Sequence, residues 1–456
     1  MVRIALGLAP TFGINSGNAH HSMRVLLTSH GSTGDIYPLI GLGRALREAG
    51  HHVRYATAPL YQSEIEKAGL EFVSMPPEWG PEIFADFMRE INRCKHPLLQ
   101  LVHIYCGALP FMGEIIRRMD EELRSADLMV SSYFFPHYRA LANRAGVPFA
   151  CFAFCHNLVP TDSHPPENFP KLRWLPGPLR RKYCRASWQL SNNVVDFSIN
   201  SICRALFREV GLPPMNGFIT NPAELELVGV GRAVGEHWQA DEKFQFSGYL
   251  RWQTATNEKI DQELREFCAG TEVPVLTFGS VTFDDVHTIM NRFLQNWPEG
   301  KKIIVQSGWA GLSVDIARPY IKVIGAVSHD QLFKYASCVI HHGGAGTTAS
   351  VLFAGKPQII IPHIADQWFW VAEMKRLRVA SKLNKKTWPE KLPAKVLKIE
   401  AKKKMRKRAE KLAAQLHAED GPATSVRLLE EFVAKQKATA KIEENAPAAT
   451  LVQAVS

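Results

Sequence analysis

The 456-residue sequence predicts an α/β protein made of two successive domains of alternating strands and helices. Three observations predict it. Short apolar strand patterns alternate with helical patterns from Met23 onward. The rhythm breaks over residues 236–258 and then restarts. Each half opens with a strand that ends in a glycine-bearing turn, His30-Gly31-Ser32-Thr33-Gly34-Asp35 in the first and Phe278-Gly279-Ser280 in the second. Such alternation requires parallel strands joined by crossover helices, with binding sites at the carboxyl ends of the strands. The expected architecture is two facing Rossmann-like domains with a cleft between them.

The elements follow in order. Residues 24–29 are a buried-strand pattern, and residues 37–50 read as a helix because Leu39, Ile40, Leu42 and Leu46 recur at helical spacing before Gly50. A second strand (52–57) and helix (61–69) come next, then a strand at 127–132, a helix at 138–146 and a strand at 147–154. The pattern is lost over 156–182, a segment rich in Pro and aromatics, as expected of a binding loop. A helix reaching Val210 and a last strand at 224–230 complete the half. In the second half, strands are read at 273–278, 302–306, 321–324, 338–341 and 358–361. The domain limits are 23–240 and 241–411, with an extension at 1–22, a closing helix at 412–434 and a disordered tail at 435–456.

Composition narrows the class. A hydrophobic fraction of 46% with 21% charged residues suits a chain with a real core and excludes a mostly disordered one. Mean hydropathy of −0.12 argues against a polytopic membrane protein. The best apolar stretch, 98–112, is interrupted by Gln100, His103 and Pro110 and is shorter than the ~20 residues a spanning helix needs. Eight cysteines show no C-x-x-C spacing, so they read as free thiols of a reducing compartment, and a cytoplasmic location is expected. The short apolar run after Arg3 is too rich in Gly and Pro for a signal peptide. Between Lys375 and Lys411 stand 16 Lys/Arg against three acids, more than the whole net charge of +10. That run reads as a solvated helix face, or more sharply as a contact with an anionic membrane. Nucleic acid is not expected, because aromatic residues do not interleave with the basic ones as a stacking platform requires, Trp388 being the single one in the run.

The chemistry concentrates in Ile340-His341-His342-Gly343-Gly344-Ala345-Gly346-Thr347-Thr348, which ends a strand and opens a helix. Glycines let the backbone approach a ligand, and the free N–H groups of a helix start favour an anion. The segment is neither the G-x-G-x-x-G dinucleotide fingerprint nor a Walker A loop. A diphosphate without a nicotinamide signature points to a nucleotide-sugar. No metal-ligand set is read. The tandem Asp284-Asp285 is expected to cap the following helix.

Three separated motifs now agree in order: Gly34-Asp35-Ile36-Tyr37-Pro38, Thr277-Phe278-Gly279-Ser280, and His342 with Pro362-His363-Ile364-Ala365-Asp366-Gln367. Together they resemble the inverting, nucleotide-sugar-dependent glycosyltransferases of the GT-B fold, of the branch with sterol glucosyltransferases, UDP-glycosyltransferases and bacterial macrolide or glycopeptide glycosyltransferases. The resemblance runs from about Met23 to Val433. It implies that His342, Gly343, Gly344, Gly346 and Thr347, with Ser280, hold the donor diphosphate, and that Asp366 and Gln367 meet the hexose hydroxyls. Val327 and Trp309 are the expected nucleobase contacts, although the stacking Trp of the plant relatives is absent. Asp35 stands where many relatives carry a catalytic His. It is expected to be the general base, with helix capping the bland alternative and His30 the competing base.

Acceptor contacts are expected from the 156–182 loop and nearby aromatics: Phe134, His137, Phe154 and Trp174. Their character suggests an apolar hydroxylated acceptor such as a sterol, polyketide or other lipid-like molecule. The expected activity is metal-independent transfer of a hexose, by default from UDP-glucose, which is a co-substrate; no cofactor is expected. The alternative is a non-catalytic or membrane-associated relative that only binds the nucleotide-sugar.

Overall fold

The computed structural model describes residues 22–444 apart from 95, 134, 239, 253–256, 280–284, 308–317 and 365. Two all-parallel sheets carry the chain. The first runs in the order β3-β2-β1-β4-β5-β6-β7, from β1 (Arg24–Thr28), β2 (His52–Thr57), β3 (Glu71–Ser74), β4 (Leu128–Ser132), β5 (Phe149–Ala153), β6 (Leu225–Val228) and β7 (Phe244–Phe246). The second runs β10-β9-β8-β11-β12-β13, from β8 (Val273–Thr277), β9 (Ile303–Gln306), β10 (Ile321–Ile324), β11 (Ala336–His341), β12 (Gln358–Ile360) and β13 (Ala380–Lys382). Strand order reverses between β1 and β4 and again between β8 and β11. These switch points open a crevice at the carboxyl ends of the strands.

Crossover helices cover both faces of the first sheet: α1 (Thr33–Glu48), α2 (Gln62–Lys67), α3 (Pro81–Arg93), α4 (Pro97–Leu123), α5 (Tyr138–Arg144), α6 (Gly177–Glu209) and α7 (Arg232–Gly235). Strand alternation divides the core. Val25, Leu27, Leu128 and Val130 pack with α1 on one face, while Leu26 and Met129 pack with α4 on the other. The second domain adds α8 (Glu258–Cys268), α9 (Val286–Asn296), α10 (His329–Phe333), α11 (Ala345–Phe353), α12 (Gln367–Arg376), α13 (Trp388–Glu400), α14 (Lys403–His417) and α15 (Gly421–Glu444). Asp285 accepts from the Thr288 N–H at 2.9 Å and so caps α9, as the sequence suggested. All eight cysteines are free.

Several boundaries differ from the sequence reading, each for a physical reason. The region taken as an irregular junction contains β7, whose alternating Phe244 and Phe246 extend the first sheet past residue 240. The closing helix read at 412–434 is two helices, broken at 418–420. Its second half, α15, continues to Glu444 rather than ending in a tail at 435. Val426, Leu429 and Val433 of α15 join the first domain's core against α1, and His51 Nε2 pairs with Glu430 Oε1 at 3.1 Å. The C-terminal helix therefore crosses back and ties the second domain to the first. The residues of the apolar stretch 98–112 lie in α4, whose 27 residues are long and apolar enough to cross a membrane by length and composition. Tyr105, Met112, Ile116 and Met119 of this helix are buried in the first domain's core. In the basic run, α14 buries Met405, Ala409, Leu412 and Leu416 and leaves its charged face outward.

A buried polar pair on α6 holds the chain that leads into β6. Asp196 accepts from the backbone N–H groups of Gly217 at 2.8 Å and Phe218 at 3.1 Å, and Asn192 Oδ1 accepts from those of Ile219 and Thr220. A buried amide left without a partner costs about 1–3 kcal/mol. Asp196→Ala, which orphans two, should lower the unfolding free energy in urea by at least about 2 kcal/mol. Asp196→Asn, which keeps an acceptor oxygen, should cost less; equal losses would mean the loop is held by other contacts.

Candidate active site

The two switch points face one another across a cleft of about 1310 Å³. Its walls come from the turns after β1 and β4 in one domain and after β8 and β11 in the other. Leu250, Arg251, Trp252 and Asn257 of the segment joining the domains also line it, fastened by an Arg251–Asp330 ion pair and by mutual hydrogen bonds between Asn257 and Gln331.

On the first domain's side, Asp35 is the third residue of α1. Its Oδ2 accepts from the Ser32 N–H at 2.8 Å and the Ser32 hydroxyl at 3.0 Å. The capping role is thus real, and it coexists with a place on the cleft wall. Gly31, at φ +134°, is needed for this approach, since a Cβ there would lie 2.4 Å from Asp35 Oδ2. The turn is fixed further by Tyr61, whose hydroxyl donates to Gly31 O, and Ser29, whose hydroxyl donates to Asp35 O. Burial pushes the Asp35 carboxyl up to about 6, against the Ser32 hydrogen bonds that pull it down. His30 is bonded to the Tyr138 hydroxyl at 2.9 Å and packs edge-on against Phe135. Burial lowers it to about 4, so it is neutral and already engaged.

On the opposite side, α11 begins at the carboxyl end of β11. The two histidines before it have different tasks. His341 is buried in the sheet, where its Nδ1 accepts from the Gly343 N–H at 3.1 Å. Its other nitrogen must then carry the hydrogen and donate to Gln358 Oε1 at 3.0 Å. His342 faces the cleft. It is buried, its Nδ1 has no hydrogen-bond partner, and burial holds it well below its ordinary range. Gly344 makes room for it, because a Cβ there would stand 2.4 Å from His342 Nε2. The first-turn N–H groups from Gly344 to Thr347 have no partner within α11; the first intrahelical bond beyond them is Thr348 N–H to Gly344 O at 2.9 Å. Gly344, Gly346 and Thr347 line the cleft with His342 and Gly279.

Asp366 and Gln367 open α12 beside this turn. Asp366 accepts from the Trp370 indole N–H at 3.1 Å. Burial, and next the charge of Asp35 across the cleft, raise Asp366 to about 7, while Trp370 and the Ala345 N–H oppose the rise. Gln367 Oε1 accepts from the His363 and Ile364 N–H groups at 2.7 and 3.1 Å. Only its amide donors are left for a ligand. Val327 lines the cleft, and its carbonyl is taken by Gln306 Nε2 at 3.1 Å; Gln306 is itself held by Thr277. Ser280, Trp309 and Phe134 lie outside the described residues.

His137 and Phe154 line the apolar end of the cleft. His137 is buried among Tyr105, Phe135 and Tyr138 with neither ring nitrogen hydrogen-bonded. Trp174 does not line it. The turn 172–175 directs this side chain outward, 77% exposed, so the expectation for it is overturned. The larger part of the apolar wall comes from α3 and α4, through residues such as Phe84, Phe87, Ile91, Leu101 and Ile104, which sequence reasoning missed. The aromatic spacing of Trp79, Phe84 and Phe87 was the available signal.

Comparison with known proteins agrees with this geometry. Residues 25–105 match the glycosyltransferase family 28 N-terminal domain, and residues 303–432 match the erythromycin biosynthesis protein CIII-like C-terminal domain. The chain is 27% identical over 374 residues to sterol 3-beta-glucosyltransferase UGT80B1 of Arabidopsis thaliana, covering 76% of this chain and 58% of that protein. It is 26% identical over 376 residues to vancomycin aglycone glucosyltransferase of Amycolatopsis orientalis, covering 78% and 85%. The solved glycosyltransferase VinC in complex with DTDP shares the fold at a TM-score of 0.61 and 15% identity, over 91% of this chain and 100% of that one. With a glycosyltransferase-type domain match on either side of one cleft, the chain has the GT-B fold and resembles the glycosyltransferases built on it.

Proposed function

We propose that the protein is an inverting hexosyltransferase that moves a hexose, glucose by default, from a UDP-sugar to a hydroxyl of an apolar small-molecule or lipid acceptor. The observation that carries this reading is the meeting, in one cleft, of a carboxylate from the first domain and an anion-binding helix start from the second. Attack by the acceptor oxygen on the anomeric carbon breaks the bond to the diphosphate. The acceptor proton passes to Asp35, and negative charge grows on the leaving nucleoside diphosphate. The amides that begin α11, with the helix dipole, meet that charge, and neutral His342 adds a donor if its hydrogen lies on the nitrogen facing the cleft. The transfer as proposed draws on no metal ion. The diphosphate class of ligand is supported by VinC, solved with thymidine diphosphate. The uracil is the default base, met by Val327 and the 325–331 segment.

Asp366 and the Gln367 amide are proposed to orient the hexose. Asp366 is raised to about 7, and a hydroxyl-lined sugar can use it in either protonation state. The apolar α3–α4 wall supports an apolar acceptor, as do the sterol and glycopeptide-aglycone acceptors named for the two relatives. His137 is proposed to hydrogen-bond a polar group carried into that wall. Attachment of the basic α13–α14 face to anionic lipid would be mainly electrostatic, since the two helices bury most of their apolar side chains and Leu397 is the one large apolar residue they leave exposed.

Asp35→Asn should lower kcat/KM for transfer by about 10²–10⁴-fold while leaving the Kd for UDP unchanged. A variant with near-normal turnover would remove Asp35 as base. The base must be ionised, so wild-type activity should fall as pH drops through the range from about 6 to about 7, where Asp35 and Asp366 titrate together, and hold level above it. On the acceptor side, Phe87→Ala should raise the acceptor KM at least about tenfold, or about 1.4 kcal/mol, whereas Trp174→Ala leaves it unchanged. Kinetics with a panel of hydroxylated acceptors checks the pair. The reverse order would relocate the acceptor to the 171–176 surface.

A further inference from the structure

The seam between the two domains holds a cluster that the cleft chemistry does not use. His156 follows β5, His237 follows α7, and Glu373 lies in α12; none of the three lines the cleft. One ligand-capable atom from each lies within 4.8 Å of the others. Glu373 Oε2 is 3.4 Å from His237 Nε2 and 3.7 Å from His156 Nε2. Both separations are long for hydrogen bonds. They are close to the edge of about 3.3 Å that joins two ligand atoms each about 2.0–2.1 Å from a tetrahedral zinc ion.

The surroundings argue for a ligand rather than a relaxed polar network. His156 is completely buried, and neither of its ring nitrogens has a hydrogen-bond partner; nor does His237 Nδ1. A buried imidazole in that state carries a penalty that folding normally avoids. The ring cannot easily swing to find a partner, because Phe369, Trp238 and Trp370 pack edge-on around it at 4.7, 5.2 and 5.9 Å. Glu373 is held from the side. Arg376 donates to its Oε2 from Nε and Nη2 at 3.1 and 2.9 Å, and the same Nη2 donates to Val234 O at 2.7 Å. Guanidinium is the competing cation here. Hydrogen bonding to a carboxylate that also ligates an ion is nevertheless the ordinary arrangement of an outer shell.

We propose that His156, His237 and Glu373 form a zinc site that bridges the two domains, with water completing the coordination. Two imidazoles and one carboxylate suit zinc, whereas magnesium and calcium select oxygen ligands. The ion sits on α12, the helix that begins with the proposed sugar contacts. It would therefore fix that helix against the loop that follows β5, independently of which donor or acceptor the cleft takes.

The test is metal content of the full-length, untagged chain purified after zinc supplementation, together with its melting temperature when stripped and when refilled. The expected result is a single zinc equivalent per chain and a Tm that rises on refilling with zinc. His237→Gln, whose ring is a quarter exposed, and Glu373→Gln should each lose both the metal and the rise, while His287→Gln, on the exposed face of α9, keeps them. Cobalt in place of zinc should give the visible absorption of a tetrahedral site in the wild type and not in His237→Gln. A wild-type chain that takes up no zinc, or variants that hold it as well as wild type, would overturn the proposal. UDP binding by the same preparations shows that they are folded and reports on the cleft separately.

Discussion

Backbone amides at the start of a helix govern this protein's design. The first turn of α11 has N–H groups that the helix itself cannot satisfy, and the chain spends its most specific residues on keeping them reachable. Gly344 lets the His342 ring lie against the turn, and His341 pins the preceding backbone by accepting from the Gly343 N–H. Burial keeps His342 neutral, so the site offers polarity without the cost of an unpaired buried cation. In the absence of a ligand, Asp366 shares this region through the Ala345 N–H.

The opposing wall follows from that constraint. In the transfer proposed above, the helix start needs an acceptor-activating group across from it. The first domain supplies Asp35 at the matching switch point. Its carboxylate is both a structural cap and a cleft group, and the two roles reinforce one another: the Ser32 hydrogen bonds fix its position while burial raises its basicity. Domain placement does the rest. The linker ties onto α10 through Arg251 and Asp330, and α15 returns to pack on α1, so the two turns are presented to each other by packing at both ends.

Much of this was legible in the sequence. The strand–helix rhythm gave the two sheets, because parallel strands buried on both faces read as apolar runs, and the residue types of the glycine-histidine turn pointed to the helix start that is proposed to hold the diphosphate. What could not be read were contacts made across the chain. Whether Gln367 offers its oxygen or its amide depends on two N–H groups in the preceding turn. Trp174 looked like a pocket residue because it lies in the aromatic-rich loop, but a local turn sends it outward. The part that α3 and α4 play in the cleft's apolar wall was missed because their amphipathic pattern is that of any core helix. The short strand β7 and the return of α15 are set by tertiary packing, and the His156, His237 and Glu373 cluster joins residues far apart in sequence.

The central claim is a position: the diphosphate of the sugar donor rests on the amides that open α11. A crystal structure of the chain with UDP bound tests it most directly. The account predicts phosphate oxygens within hydrogen-bonding distance of the Gly346 and Thr347 N–H groups and beside the His342 ring. A diphosphate bound elsewhere in the cleft, with that first turn facing only protein or solvent, would contradict it.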